Sequence, residues 1–153
     1  SRTFSQFKGG VIMTLYEITN ALLATAKKVP NINYVGTGDI YELNDKPNIN
    51  YGVFYITQMN HTQGENTIDY TLTLFYVDRV LNDGSNKLAI QSNGITTIGN
   101  IINLFLNTYD NVEIRYDIQY TTFLQKFVDD CSGVFANVTF TVDNNIGICG
   151  DTF

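Results

Sequence analysis

At 153 residues, 44% of them hydrophobic, the chain is one domain of ordinary size that can bury roughly two thirds of its unfolded surface and needs no disulfide or metal to fold. Fifteen Asp plus Glu against nine Lys plus Arg leave a net charge of -6, which disfavours tight nucleic-acid binding but not passive exclusion of DNA. Cys131 and Cys149 have no metal-ligand spacing and are too few for a disulfide scaffold, so reduced thiols are expected, with a single bond as the alternative.

The first residues, SRTFSQFKGGVIM, lack the continuous apolar core of a signal peptide, and no run is long enough to span a bilayer. Synthesis in the cytoplasm is the expectation. Residues 1–13 read as an extension or arm, or as sequence preceding an alternative start at Met13, and residues 14–153 as a single α+β domain.

Thr14 opens the first helix. Thr14 and Glu17 have capping-box spacing, and Met13 and Ile18 are placed to staple across it. Leu15, Ile18, Leu22, Leu23, Ala26 and Val29 recur at helical spacing until Pro30 stops the run. From Asn31 to Asn50 two short apolar runs, Tyr34-Val35 and Ile40-Tyr41, are separated by Gly36-Thr37-Gly38. Those glycines resemble a phosphate loop only superficially, because no third glycine or helix start follows, and a turn between short strands is expected.

Tyr51 to Asn60 is a strand rich in aromatic and β-branched residues, followed by a polar turn at His61 to Asn66. Val53 and Tyr55 lie on one side of it and Phe54 and Ile56 on the other. Both sides therefore need cover, and for Tyr51, Val53 and Tyr55 either a loop or a second subunit must supply it.

The clearest strand is NTIDYTLTLFYVD, Asn66 to Asp78, with Ile68, Tyr70, Leu72, Leu74 and Tyr76 alternating with Thr67, Asp69, Thr71 and Thr73. Apolar residues at three-and-four spacing then predict one helix from Asn86 to Asn107, weakened by Gly94 and Gly99, which mark either close packing or a break. Val112 to Tyr120 alternates again, with Glu113, Arg115, Asp117 and Gln119 on the polar side. Thr122 to Gly133 loses alternation, and Val134 to Val142 closes the chain's strands with Asn137, Thr139 and Thr141 on the polar side. The expected fold is α+β, an antiparallel sheet of about four to five strands with two helices packed on one face.

Residue chemistry names no catalytic centre. His61 is the only histidine and sits in the expected polar turn. Asp129, Asp130, Asp143, Asn144 and Asn145 lack EF-hand spacing and read as solvated turn residues. Glu42, Asp69, Glu113 and Asp117 are acid–base candidates by type alone. The informative feature is the polar sheet face, Thr67, Asp69, Thr71, Thr73, Glu113, Asp117, Gln119, Asn137, Thr139 and Thr141. Its plain reading is the wet side of an antiparallel sheet; the sharper one is a pore wall past which a polyanion slides.

In element order the chain resembles the tail terminator family of tailed bacteriophages, also called tail completion or minor tail proteins, with relatives among neck rings. The likeness is carried by the capped helix Thr14 to Val29, DIYELNDKPNINYGVFYI, TIDYTLTLFYVD, the helix around Ile95 to Phe105, and the pair VEIRYDIQY and VFANVTFTV. It spans Met13 to Asp143 and contains no signature motif. It implies a non-enzymatic virion protein without cofactor or metal, assembling with itself into a hexameric or larger ring. That ring would stop tail growth and join the tail tube protein to a neck or head-completion protein, with DNA passing unbound and no membrane involved. Asp69, Thr71, Thr73, Glu113, Asp117 and Gln119 would then face the lumen, and Tyr51, Val53 and Tyr55 a neighbouring subunit. The N-terminal extension, the segment Thr122 to Gly133 and the tail NNIGICGDTF depart from the pattern. The rival expectation is a small ligand-binding domain of the NTF2-like or cystatin-like kind, a monomer or dimer with Tyr70, Tyr76, Tyr116 and Tyr120 lining a pocket.

Overall fold

The capped helix starts where its signals place it and ends at Ala26, three residues before Val29. In the computed structural model, which describes residues 13–45, 50–115, 117–126 and 130–143, α1 runs Leu15–Ala26. Thr14 Oγ1 accepts from the Glu17 amide at 3.1 Å, and the Thr14 amide donates to Glu17 Oε1 at 2.9 Å. Both ends of the expected staple, Met13 and Ile18, are buried in the same core cluster.

Among the described residues six strands make one mixed sheet: β1 (Tyr34–Thr37), β2 (Val53–Gln63), β3 (Thr67–Arg79), β4 (Val112–Ile114), β5 (Tyr120–Lys126) and β6 (Asp130–Asp143). The order is β1-β2-β3-β6, and both β4 and β5 pair with the far edge of β6. All pairs are antiparallel except β1 with β2. The second helix, α2, spans Lys87–Thr108 without a break.

Strand alternation decides which side is core. Phe54 and Ile56 of β2, Leu72, Leu74 and Tyr76 of β3, and Val134, Ala136, Val138 and Phe140 of β6 share the helix side, because opposed residues in an antiparallel pair point the same way. They pack with Ile18 and Leu22 of α1 and Ile98, Ile101, Ile102 and Phe105 of α2 in one cluster. Gly94 brings α2 close: a Cβ there would collide with the Val134 side chain and come within 3.0 Å of the Tyr76 ring. Of the two readings of the helical glycines, close packing holds at Gly94, whereas at Gly99 a Cβ would find only the Tyr120 hydroxyl, 3.6 Å away.

Four expectations need correction. The sheet is mixed because β1 reaches β2 through a crossover, and the run at Ile40-Tyr41 is part of a 3-10 helix, Ile40–Asp45, in place of a strand. His61 lies within β2, where a register shift between Gln58 and His61 bulges the strand; the turn to β3 is confined to residues 64–66. The strand expected over Val112 to Tyr120 divides into β4 and the start of β5, and β5 continues through the segment that lost alternation. Five residues, 115–119, span the three β6 residues 137–139 that separate the two pairings, with Asp117 at φ 69°. An excess of two residues preserves the facing of side chains, so the sequence alternates straight through a break it does not reveal.

Candidate functional site

The sheet face opposite the helices divides into two regions along β3 and β6. At the hairpin end it is polar. Asp69, Thr71 and Thr73 stand opposite Thr141, Thr139 and Asn137, and each pair is bonded: Thr141 Oγ1 donates to Asp69 Oδ1 at 2.7 Å, the two threonine hydroxyls of the middle pair lie 2.9 Å apart, and Thr73 Oγ1 donates to Asn137 Oδ1 at 2.7 Å. Glu113 joins the row opposite Thr141, exposed. Arg115 Nη2 donates to Asp69 Oδ2 at 2.9 Å. Asp69 is thus both hydrogen-bonded and ion-paired, and the row is less acidic than its carboxylates alone suggest.

Asp117 and Gln119 are not brought into this row. Both are exposed in the five-residue excursion between β4 and β5, outside any strand. The lumen set expected from sequence left out Asn137, Thr139 and Thr141, which stand in the row, and Arg115, which reaches it. The position of Arg115 on the polar side was visible; that it would meet Asp69, 46 residues away, was not.

Toward the other end the same face is apolar. Val53, Tyr55, Val77 and Cys131 are buried with Leu43 of the 3-10 helix, which folds back over them. Val53 at 0% and Tyr55 at 2% exposure have little surface to offer a neighbouring subunit, so a loop of the same chain supplies the cover expected from a partner. Burial, then the Glu42 carboxylate beside it, pushes the Tyr55 hydroxyl up to about 12. Tyr51 is half-buried, with the Arg79 guanidinium 5.2 Å from its ring centre and Asn33 Nδ2 donating to its carbonyl at 2.6 Å. Together with Asn50 these residues line an open depression of about 490 Å³. The bond considered between Cys131 and Cys149 lies outside the described residues.

Between the two regions stand three half-exposed rings, Phe75 on β3, Phe135 on β6 and Phe123 on β5. Their centres are 5.4 Å apart for Phe75–Phe135, 6.1 Å for Phe75–Phe123 and 6.2 Å for Phe123–Phe135. Gly133 makes room for this group, since a Cβ there would strike the Tyr76 carbonyl and lie 2.8 Å from the Phe123 ring. The signal was present in sequence: Phe75 and Phe135 stand at positions that alternation assigns to the polar side.

Among the described residues no three His, Cys, Asp or Glu side chains gather into a metal-binding group. His61, on β2, packs edge-on against Tyr70 at 5.5 Å. No helix in the described residues is long and apolar enough to cross a membrane. No protein-family model matches this sequence, and no curated protein matches it.

Proposed function

We propose that the chain is a structural protein of a phage tail or neck, assembling into a ring whose lumen passes DNA. The observation that supports this most is the sheet face opposite the helices, where a hydrogen-bonded ladder of threonine, asparagine and aspartate lies beside half-exposed aromatic rings. Thr71, Thr139 and Thr141, half-buried, present hydroxyls beside a neutralised carboxylate, Thr73 is buried at 7% exposure, and Glu113 adds a negative charge, so a polyanion finds no cationic row to hold it. Half-exposed rings near such a ladder suit contact with a neighbouring subunit. Virion location, tail tube and neck partners, and the lack of enzymatic activity belong to this reading.

The ligand-pocket alternative is less well supported. It requires space between sheet and helices, and that space holds Phe54, Leu72, Leu74, Ile98, Phe105 and Phe140, all at 0% exposure. Tyr76, one of its proposed lining residues, is at 2% exposure in the same core; Tyr116 lies outside the described residues.

The test is molecular mass by light scattering across a concentration series, with and without purified tail tubes, and negative-stain imaging of large species. Rings of six or more copies with a central hole are expected. A chain that remains monomeric in both settings overturns the proposal. In a ring-forming phage system, Asp69→Lys with Glu113→Lys leaves assembly intact and impairs DNA passage; full infectivity would remove the lumen role.

A further inference from the structure

A second surface lies on the helix side, between α2 and β5. Among the described strands β5 pairs only with β6, so its outer edge presents backbone N–H and C=O groups. Tyr120, Thr122 and Leu124 stand opposite Ala136, Val134 and Ser132 and so share the helix side of the sheet. Ser132 Oγ donates to the Lys87 carbonyl at 3.3 Å, which sets the start of α2 beside Leu124. Gly99 approaches the Tyr120 hydroxyl, which sets the middle of α2 beside Tyr120.

At about 3.6 residues per turn, Leu88, Ile95 and Gly99 form one stripe, so the stripe that meets Tyr120 also carries two apolar side chains along β5. Leu88 is 76% exposed, Ile95 40% and Leu124, across the groove, 58%. A strand edge beside three exposed aliphatic residues is suited to an extended segment that adds its backbone to the sheet and lays alternate apolar side chains on the helix.

The sequence holds one such segment in Asn145 to Cys149, NIGIC, where Ile146 and Ile148 alternate. It cannot serve its own chain. Ile148 is five residues past Asp143, where β6 ends, a reach of about 18 Å at most. Ala136 and Ser132, which mark Tyr120 and Leu124, lie seven and eleven residues back along β6, roughly 23 and 36 Å away. A second copy is under no such limit.

We propose that residues 145–149 of a neighbouring copy add to β5 as an edge strand, seating Ile146 and Ile148 against Leu88, Ile95 and Leu124. This rests on the self-association proposed above and names one contact within it. The contact is heterologous, from the tail of one copy to the edge of the next, which is the kind that closes into rings.

The experiment compares the full chain with Leu124→Lys and with Ile146→Lys plus Ile148→Lys by light scattering, at a concentration where the unaltered chain is oligomeric. Each variant is expected to fall to single-chain mass, an association weakened at least about tenfold, with unchanged circular dichroism. In a Cys149→Ser background, Leu124→Cys with Ile148→Cys is expected to give an oxidative ladder of linked chains that either cysteine alone does not. An unaltered oligomer whose mass resists either lysine variant, or which forms no interchain bond, overturns the strand addition and leaves ring assembly standing. A chain monomeric at every concentration overturns both.

Discussion

The two ends of the sheet face opposite the helices are both built along β3 and β6, yet they are held by different forces. At the hairpin end, Asp69, Thr71 and Thr73 join β3 to β6 through side-chain hydrogen bonds, with Arg115 reaching in from solvent. At the other end, Tyr55, Val53 and Val77 are covered by Leu43, and three phenylalanines stand at the boundary. Hydrogen bonds exchanged with water leave only about 1 kcal/mol each, whereas buried aromatic area contributes several times that. The apolar end therefore carries more of the stability, and the polar end is open to change at little cost.

Substitution at Gly133 should break the apolar end most severely. Gly133→Ala forces a Cβ against the Tyr76 carbonyl and the Phe123 ring, and a loss of about 3 kcal/mol in urea unfolding is expected. An effect below about 1 kcal/mol would mean that neither the Tyr76 carbonyl nor the Phe123 ring lies as close to this glycine as the structure places it. Phe135→Ala, which removes two of the three ring contacts and leaves only that between Phe75 and Phe123, should cost about 2 kcal/mol, less than a fully buried phenylalanine because the ring is half-exposed.

The polar end should respond more weakly, and in a salt-dependent way. Asp69→Ala removes the acceptor of both Thr141 and Arg115 and is expected to lose about 1 kcal/mol. Arg115→Ala should lose under about 0.5 kcal/mol, vanishing in molar salt, since its side chain is 73% exposed. Equal losses from the two would show that the ion pair, and not the threonine bond, holds Asp69.

High pH offers a finer comparison. Tyr55 under the 3-10 helix and Tyr76 in the core are both pushed to about 12, chiefly by burial. Their folded values exceed the ordinary value near 10, so between about pH 10 and 12 the folded state holds protons that the unfolded chain has released. Stability is complete below about 10 and declines as pH rises toward 12. Tyr55→Phe should flatten part of that decline in a pH series of urea midpoints; an unchanged slope would indicate that the Tyr55 hydroxyl is open to water.

Much of the fold was written locally. Thr14 and Glu17 announced the first helix, and the period of two in Thr67–Arg79 announced both the strand and its buried side. The unbroken α2 followed from apolar spacing that outweighed two glycines, one of which the tertiary packing against Val134 requires. The polar row was legible for the same reason: alternation fixes facing, and two facing strands that pair must bring their threonines together.

Other features depended on contacts that no local pattern encodes. The excursion over residues 115–119 adds two residues and so keeps the parity of the strand, which hides it from any reading by alternation and removes Asp117 and Gln119 from the polar row. Cover for Val53 and Tyr55 came from Leu43 because the crossover between parallel β1 and β2 must pass over one face of the sheet. Local periodicity determined which side each strand turns to the core; only the folded chain decided which distant residue lies on the other side, because that choice is made by pairing register and crossover path across tens of residues.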